Sequence, residues 1–215
     1  MDNVHASKHP LVAYKIARLR DAATPPKQVR ELVHELGYLL MYEVTASLAL
    51  KPTGTRCSPL GEYEGVDLAS KLALVPILRS GLGLVNAALE LIPTARVLHL
   101  GIYRESSSLQ PVEYYNKLPH NTNADECIVL DPMLATGGTA IATANILKDW
   151  GARKITLVCV CASRSGIEAF VAAHPDVSVF TGVIDDHLDE HGYVLPGIGD
   201  SGDRLFNTAH PDADS

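Results

Sequence analysis

Four short apolar runs, Leu72–Leu78, Arg96–Ile102, Cys127–Leu130 and Ile155–Cys161, constrain this chain more than any other feature. They are too short for helices and too apolar to keep one face in water, so they read as buried strands. The first, third and fourth each lead into a stretch with helical spacing: Leu84–Leu91, Thr139–Trp150 and Gly166–His174. Strand, helix, strand in this order predicts an α/β fold, a mostly parallel sheet flanked by helices.

Around that frame the chain reads as one domain over residues 1–215. The first 50 residues are expected to be helical, with Pro26 at a first turn and Val29, Leu32, Val33, Leu36, Leu39 and Leu40 at helical intervals. Pro52 to Gly65 reads as an irregular or short-stranded crossing. Residues 105–123 are too polar for core and are expected to protrude as an arm. The glycine- and proline-rich segment 192–208 keeps Val194, Leu195, Ile198, Leu205 and Phe206, and is expected to be an ordered loop.

Eighteen lysines and arginines stand against 25 acids, a net charge of −7. No basic field is available for a nucleic-acid backbone, so nucleic acid is excluded as a partner. An anionic ligand must therefore be held by a few placed groups. The four cysteines show no zinc-ligand spacing, and Cys127, Cys159 and Cys161 lie in apolar runs, where reduced, buried thiols are expected. No apolar run approaches the roughly 18 residues of a membrane span. The polar opening lacks the pattern of a signal peptide, and the expectation is a cytoplasmic protein.

The segment Ile128–Ala140 carries the chemistry. An apolar strand delivers Asp131 to the carboxyl edge of the sheet, where open α/β sheets bind ligands. Pro132, Met133, Leu134 and Ala135 then lead to Thr136-Gly137-Gly138-Thr139, a small-residue turn opening a helix. Glycines let backbone amides approach an anion, the helix start adds positive charge, and hydroxyls add donors: a nest for one phosphate. The lysine of a nucleoside-triphosphate loop is missing. A valine at Gly137 is expected to empty the nest with little loss of fold.

This segment resembles the phosphoribosyl pyrophosphate motif of type I phosphoribosyltransferases, and its single acid followed by proline is similar to the uracil branch. Three more segments agree in order: Pro76–Gly83, then Gly101–Arg104 with Glu113–Pro119, and Gly192–Phe206. The resemblance implies the type I phosphoribosyltransferase fold, with a small hood from the terminal segments, and the conversion of uracil and phosphoribosyl pyrophosphate to UMP and diphosphate. It implies that Asp131 through Thr139 hold the ribose hydroxyls and 5′-phosphate, and that Arg79 and Arg104 take the pyrophosphate. It also implies that Val194, Gly199, Asp200 and Ser201 form the uracil pocket. Asp200 further faces phosphoribosyl pyrophosphate or its Mg2+, and Arg104, Asp131 and Asp200 form the catalytic set. A homodimer or higher homo-oligomer and GTP as an effector also come with the resemblance. Ser80 and Ser201 add hydroxyls where the family commonly has alanine.

Gly81-Leu82-Gly83 imitates a dinucleotide-binding fingerprint, but Asn86 stands at its third position. Asp185, Asp186, His187, Glu190 and His191 imitate metal ligands, yet Gly192 opposes a helix there, and a solvated loop is expected. Tyr103, Tyr114 and Tyr115 suit either the arm or the core, and Trp150 a helix end.

Overall fold

In the computed structural model, which describes residues 3–104 and 111–208, a short strand β1 (Val4–Ala6) precedes two helices, α1 (Pro10–Arg20) and α2 (Pro26–Thr45). Both helices begin on a proline, where the missing N–H would have had no partner anyway. The apolar positions anticipated along α2 from Val29 to Leu40 pack inward, with Leu39 partly buried.

The expected irregular crossing is a complete hairpin, β2 (Leu50–Cys57) with β3 (Glu62–Leu68), antiparallel and separate from the main sheet. Pro52 and Gly54 flank a register shift in it, and those residues concealed the strand in the sequence. Leu50, Leu60, Tyr63 and Val66 are exposed on this hairpin, Leu60 completely.

The chain then enters β4 (Leu72–Leu78) and α3 (Leu82–Leu91). The second apolar run is divided into β5 (Arg96–Val97) and β6 (Leu100–Arg104). Six residues of the expected arm form β7 (Pro111–Asn116), an antiparallel strand on β6 at the edge of the sheet. Residues 105–110 of the arm lie outside the described residues. Next come β8 (Glu126–Leu130), β9 (Met133–Leu134), α4 (Gly138–Trp150), β10 (Lys154–Ser163) and α5 (Arg164–Ala173). The last elements are β11 (Ser178–Asp185), the pair β12 (His187–Leu188) and β13 (Val194–Leu195), and α6 (Ser201–Phe206).

The sheet order is β1-β11-β10-β8-β4-β6-β7, with β5 beside β4 and β9 beside β10. All these pairs are parallel except β6 with β7. The carboxyl ends of β4, β6, β8 and β10 therefore share one edge. Helices α1 to α3 cover one face and α4 with α5 the other. Along β10, Leu157 and Cys159 face α4 and α5, whereas Val158 and Val160 face the opposite core. Burial pushes the Cys127 and Cys159 thiols up to about 12, so both stay protonated.

The β8–β10 ladder stops at Leu130 opposite Val158 and resumes at Met133 opposite Cys161. Across the gap, the Pro132 carbonyl accepts from both Val160 and Cys161 N–H at 2.9 and 3.0 Å. The interruption lets Asp131 leave the pleat at the sheet edge. Trp150 ends α4 as expected and donates from its indole to the Pro119 carbonyl at 2.7 Å.

Candidate active site

One cleft at the carboxyl edge collects residues from four places in the chain. The loop after β4 contributes Arg79 and Ser80, and the end of β8 is followed by Asp131. The run into α4 supplies Met133 through Gly137 and Thr139, and the C-terminal segment supplies Val194, Gly199, Asp200 and Ser201. Gly192, Tyr193 and Gly202 line it too. Pro132 is buried off the cleft with its carbonyl on β10, and Gly138 begins α4 beside the cleft. Arg104 ends β6 next to β4, and its side chain lies outside the described residues.

The turn from Thr136 to Thr139, expected to hold a phosphate, is braced from behind. Gly137 caps α4 at φ +87°, and a Cβ there would stand 2.8 Å from the Gly166 carbonyl oxygen. Ser163 accepts from Gly166 N–H at 2.8 Å, capping α5, and donates to the Ala135 carbonyl at 2.5 Å. The start of α5 thus holds the turn that starts α4. A valine at Gly137 would strain the backbone and collide with α5, so the expectation of little lost stability is corrected. Gly138 has ordinary dihedrals, and a Cβ added there would meet nothing nearer than the Thr136 hydroxyl at 3.9 Å.

Two acids, Asp131 and Asp200, and the cation of Arg79 line the cleft. Burial pushes the Asp131 carboxyl up to about 7; bonds from Ser80 and the Met133 N–H oppose the rise, and the charge of Asp200 adds to it. Asp200 caps α6 by accepting from Asp203 N–H at 2.9 Å. Arg79 donates to Asp203 at 2.9 Å and to Thr208 at 3.2 Å, so the loop after β4 and the C-terminal segment are joined. The pair is an ion pair with Arg79 half exposed, which is worth little energy and can be remade around an anion.

The C-terminal segment is held by three arginines that the sequence did not single out. Arg20 reaches Asp185 at 2.7 and 2.8 Å and the Gly197 carbonyl at 2.8 Å. Arg204 donates to the carbonyls of Leu19, Ile198 and Asp21 at 2.6, 2.7 and 2.8 Å. Arg30 donates to the Leu205 carbonyl at 2.9 Å. Asp185, expected in a solvated loop, is buried at the end of β11 and also accepts from Gly197 N–H at 3.0 Å. Burial raises its carboxyl, but Arg20, Cys161 and the Gly197 N–H together hold it below the usual carboxylate range. The apolar character of β11 just before Asp185 was the available signal that this acid is delivered inward.

An acid at a strand end, an anion nest one turn on and a glycine-rich loop opposite suit a transferase that sets a phosphorylated sugar against a small planar acceptor. The fold is shared with a hypoxanthine-guanine phosphoribosyltransferase from Bacillus anthracis, with a TM-score of 0.50 at 7% identity, covering 74% of this chain and 80% of that one. The family model for uracil phosphoribosyltransferase matches residues 6–208. Uracil phosphoribosyltransferases of Roseiflexus castenholzii and Dictyoglomus turgidum are 51% and 49% identical, over 97% and 93% of this chain and 100% and 97% of theirs. The structure of the AQ2163 protein from Aquifex aeolicus matches with a TM-score of 0.89 at 34% identity, covering 96% of this chain and 99% of that one. The chain belongs to the uracil phosphoribosyltransferase family, and it catalyses the reaction of uracil with phosphoribosyl pyrophosphate to give UMP and pyrophosphate.

Proposed function

We propose that the cleft divides this reaction among its walls. Asp131 accepts the ribose hydroxyls, and the Thr136–Thr139 turn takes the 5′-phosphate, with Pro132 through Ala135 as the connecting wall. Arg79 and Arg104 take the pyrophosphate. Backbone groups of Val194, Gly199 and Ser201, with Asp200, meet the edge of uracil. The observation that carries this division is the convergence of Arg79, Asp131, the turn and the C-terminal loop on one cleft.

Family membership implies a divalent-metal-dependent reaction. Among the described residues no group of three or more potential ligands is gathered. Two carboxylates, Asp131 and Asp200, line the cleft instead. That donor set fits Mg2+ carried mainly on substrate phosphates, with Asp200 beside it, since this ion commonly binds one or two carboxylates plus phosphate oxygens. When bound, the ion would neutralise the departing pyrophosphate. The protein's own part is to align uracil N1 with the anomeric carbon, exclude water and balance the cationic sugar with Asp131 and Asp200. No general base is assigned.

The wider reading is a single domain with α1, α2 and the C-terminal segment as hood, Tyr103 and Tyr114 on an arm, and a cytoplasmic homo-oligomer. The two tyrosine rings lie 5.9 Å apart on β6 and β7. Support for self-association is the β2–β3 hairpin, which carries Leu50, Leu60, Tyr63 and Val66 into solvent. GTP as an effector has no assigned residues. No helix among the described residues is long and apolar enough to cross a membrane.

Calorimetry on Arg79→Ala and Arg104→Ala tests the division. Each variant should lose affinity for phosphoribosyl pyrophosphate and bind ribose 5-phosphate almost as before. Equal losses for both ligands would overturn the pyrophosphate assignment.

A further inference from the structure

Ser80 stands between the two groups proposed to grip the activated sugar. It follows Arg79 in the loop after β4, lines the cleft, and donates from Oγ to Asp131 Oδ1 at 3.0 Å. The backbone around it is pinned. Gly81 N–H donates to the Ile77 carbonyl at 2.9 Å, and Gly83 N–H to the Ser80 carbonyl at 3.0 Å. A Cβ on Gly81 would come within 2.3 Å of the Leu130 carbonyl oxygen, so this loop is pressed directly on the end of β8. The hydroxyl is thereby delivered to the residue that follows β8, which is Asp131.

Among the described residues, the bonds that reach that carboxylate fall on one oxygen. Ser80 Oγ donates to Oδ1, and so does the Met133 N–H at a longer 3.5 Å. Two donors on one oxygen fix rotation about Cβ–Cγ and turn the other oxygen to a ligand. The other charged or titratable neighbours among the described residues act on this carboxylate without a hydrogen bond. Asp200 approaches from the C-terminal segment and Cys159 from β10, and both act on Asp131 through space. Arg79 directs its guanidinium to Asp203 and Thr208.

We infer that Ser80 is a positioning residue for the transfer, its hydroxyl orienting the Asp131 carboxylate so that Oδ2 meets the ribose hydroxyls of phosphoribosyl pyrophosphate. This rests on the proposed contact of Asp131 with ribose. The loop after β4 thus serves both ends of the substrate: Arg79 faces its pyrophosphate, while Ser80 sets the acid that faces its sugar.

The test is a binding cycle by calorimetry, with phosphoribosyl pyrophosphate and Mg2+ as the titrant. Ser80→Ala should weaken binding about tenfold, the loss expected for one hydrogen bond to a charged group. In steady-state assays its KM for phosphoribosyl pyrophosphate should rise while that for uracil stays unchanged. Ser80→Thr, which keeps the hydroxyl, should retain at least half of the affinity. In an Asp131→Ala background, Ser80→Ala should cause no further loss, because the group it orients is gone.

Full affinity in Ser80→Ala, or the same tenfold loss in both backgrounds, would overturn the inference. If Asp131→Ala loses affinity and Ser80→Ala does not, only the role of Ser80 fails. If Asp131→Ala binds like the wild type, the ribose contact fails and Ser80 falls with it.

Discussion

Arg20 and Asp185 meet in a two-bonded ion pair, and the same pair holds both sides of Gly197: Asp185 accepts its N–H and Arg20 donates to its carbonyl. Arg20→Ala should therefore loosen the segment proposed to hold uracil while leaving a buried carboxylate without its cation. Full burial would make the cost about 3–5 kcal/mol, but Arg20 retains some contact with water, so about 2 kcal/mol is expected. Urea unfolding reads the stability, and the KM for uracil should rise more than that for phosphoribosyl pyrophosphate. The Asp185 carboxyl is held low, so the pair's contribution exists above the ordinary carboxylate range and is lost as pH falls through the lowered value. The penalty of Arg20→Ala should accordingly shrink as the pH is taken below the ordinary carboxylate range.

Two neighbouring glycines should answer substitution differently. Gly137→Ala places a side chain at φ +87° against the Gly166 carbonyl, and should cost about 2 kcal/mol from strain and crowding together. Gly138→Ala meets open space at the first turn of α4 and should leave Tm unchanged or slightly raised. Thermal unfolding of both variants decides. Equal Tm values would mean that α5 does not brace the nest.

The Asp131 carboxyl, raised to about 7 by burial, makes a pH prediction for the ligand-free protein. A raised acid favours folding below its unfolded value near 4, and that support is lost as pH climbs through about 7. Asp131→Asn should thus have similar stability to the wild type near pH 4 and gain about 4 kcal/mol over it by pH 8, while losing activity. Denaturant curves at the two pH values check it. A constant difference would show that this acid ionises normally.

Cytosine should be rejected by its polar pattern. Uracil offers acceptor, donor, acceptor along O2, N3–H and O4, and cytosine reverses the last two. Backbone groups of Val194, Gly199 and Ser201 cannot rotate to suit both patterns, and a mismatched buried edge can discriminate by about 10⁴-fold. Ser201 lines the cleft, and its hydroxyl can donate or accept. Ser201→Ala should therefore keep or sharpen the discrimination in kcat/KM. Cytosine within tenfold of uracil in that variant would remove this segment as the reader of the base.

The central sheet was legible because its strands are buried on both faces: Leu72–Leu78 became β4 residue for residue, and helix α4 begins at the nest. Strand β1 is three residues long, which leaves no period to recognise. Strand β11 is interrupted by Thr181 and Gly182, and the hairpin by Pro52 and Gly54. Pro111–Asn116 looked like a polar arm because an edge strand exposes most of its side chains. Within the site, Asp131 and Thr136–Thr139 stood out because strand, turn and helix start are contiguous. The contributions of Arg20, Asp185 and Arg204 were hidden because Arg20 meets Asp185 across 165 residues of sequence and Arg204 meets the Leu19 carbonyl across 185, and neither contact leaves a local signature.

The Arg204 contacts have a consequence for the order in which the protein becomes competent. The carbonyls of Leu19 and Asp21 receive a side chain 185 and 183 residues later. The Thr136–Thr139 turn takes its bracing contacts from residues no later than Gly166, whereas the other wall of the cleft is built from residues 192–204. Closing so long a loop before any local contact rewards it is slow. On the proposed division of the cleft, the wall assigned to the phosphorylated sugar should therefore take shape before the wall assigned to the base.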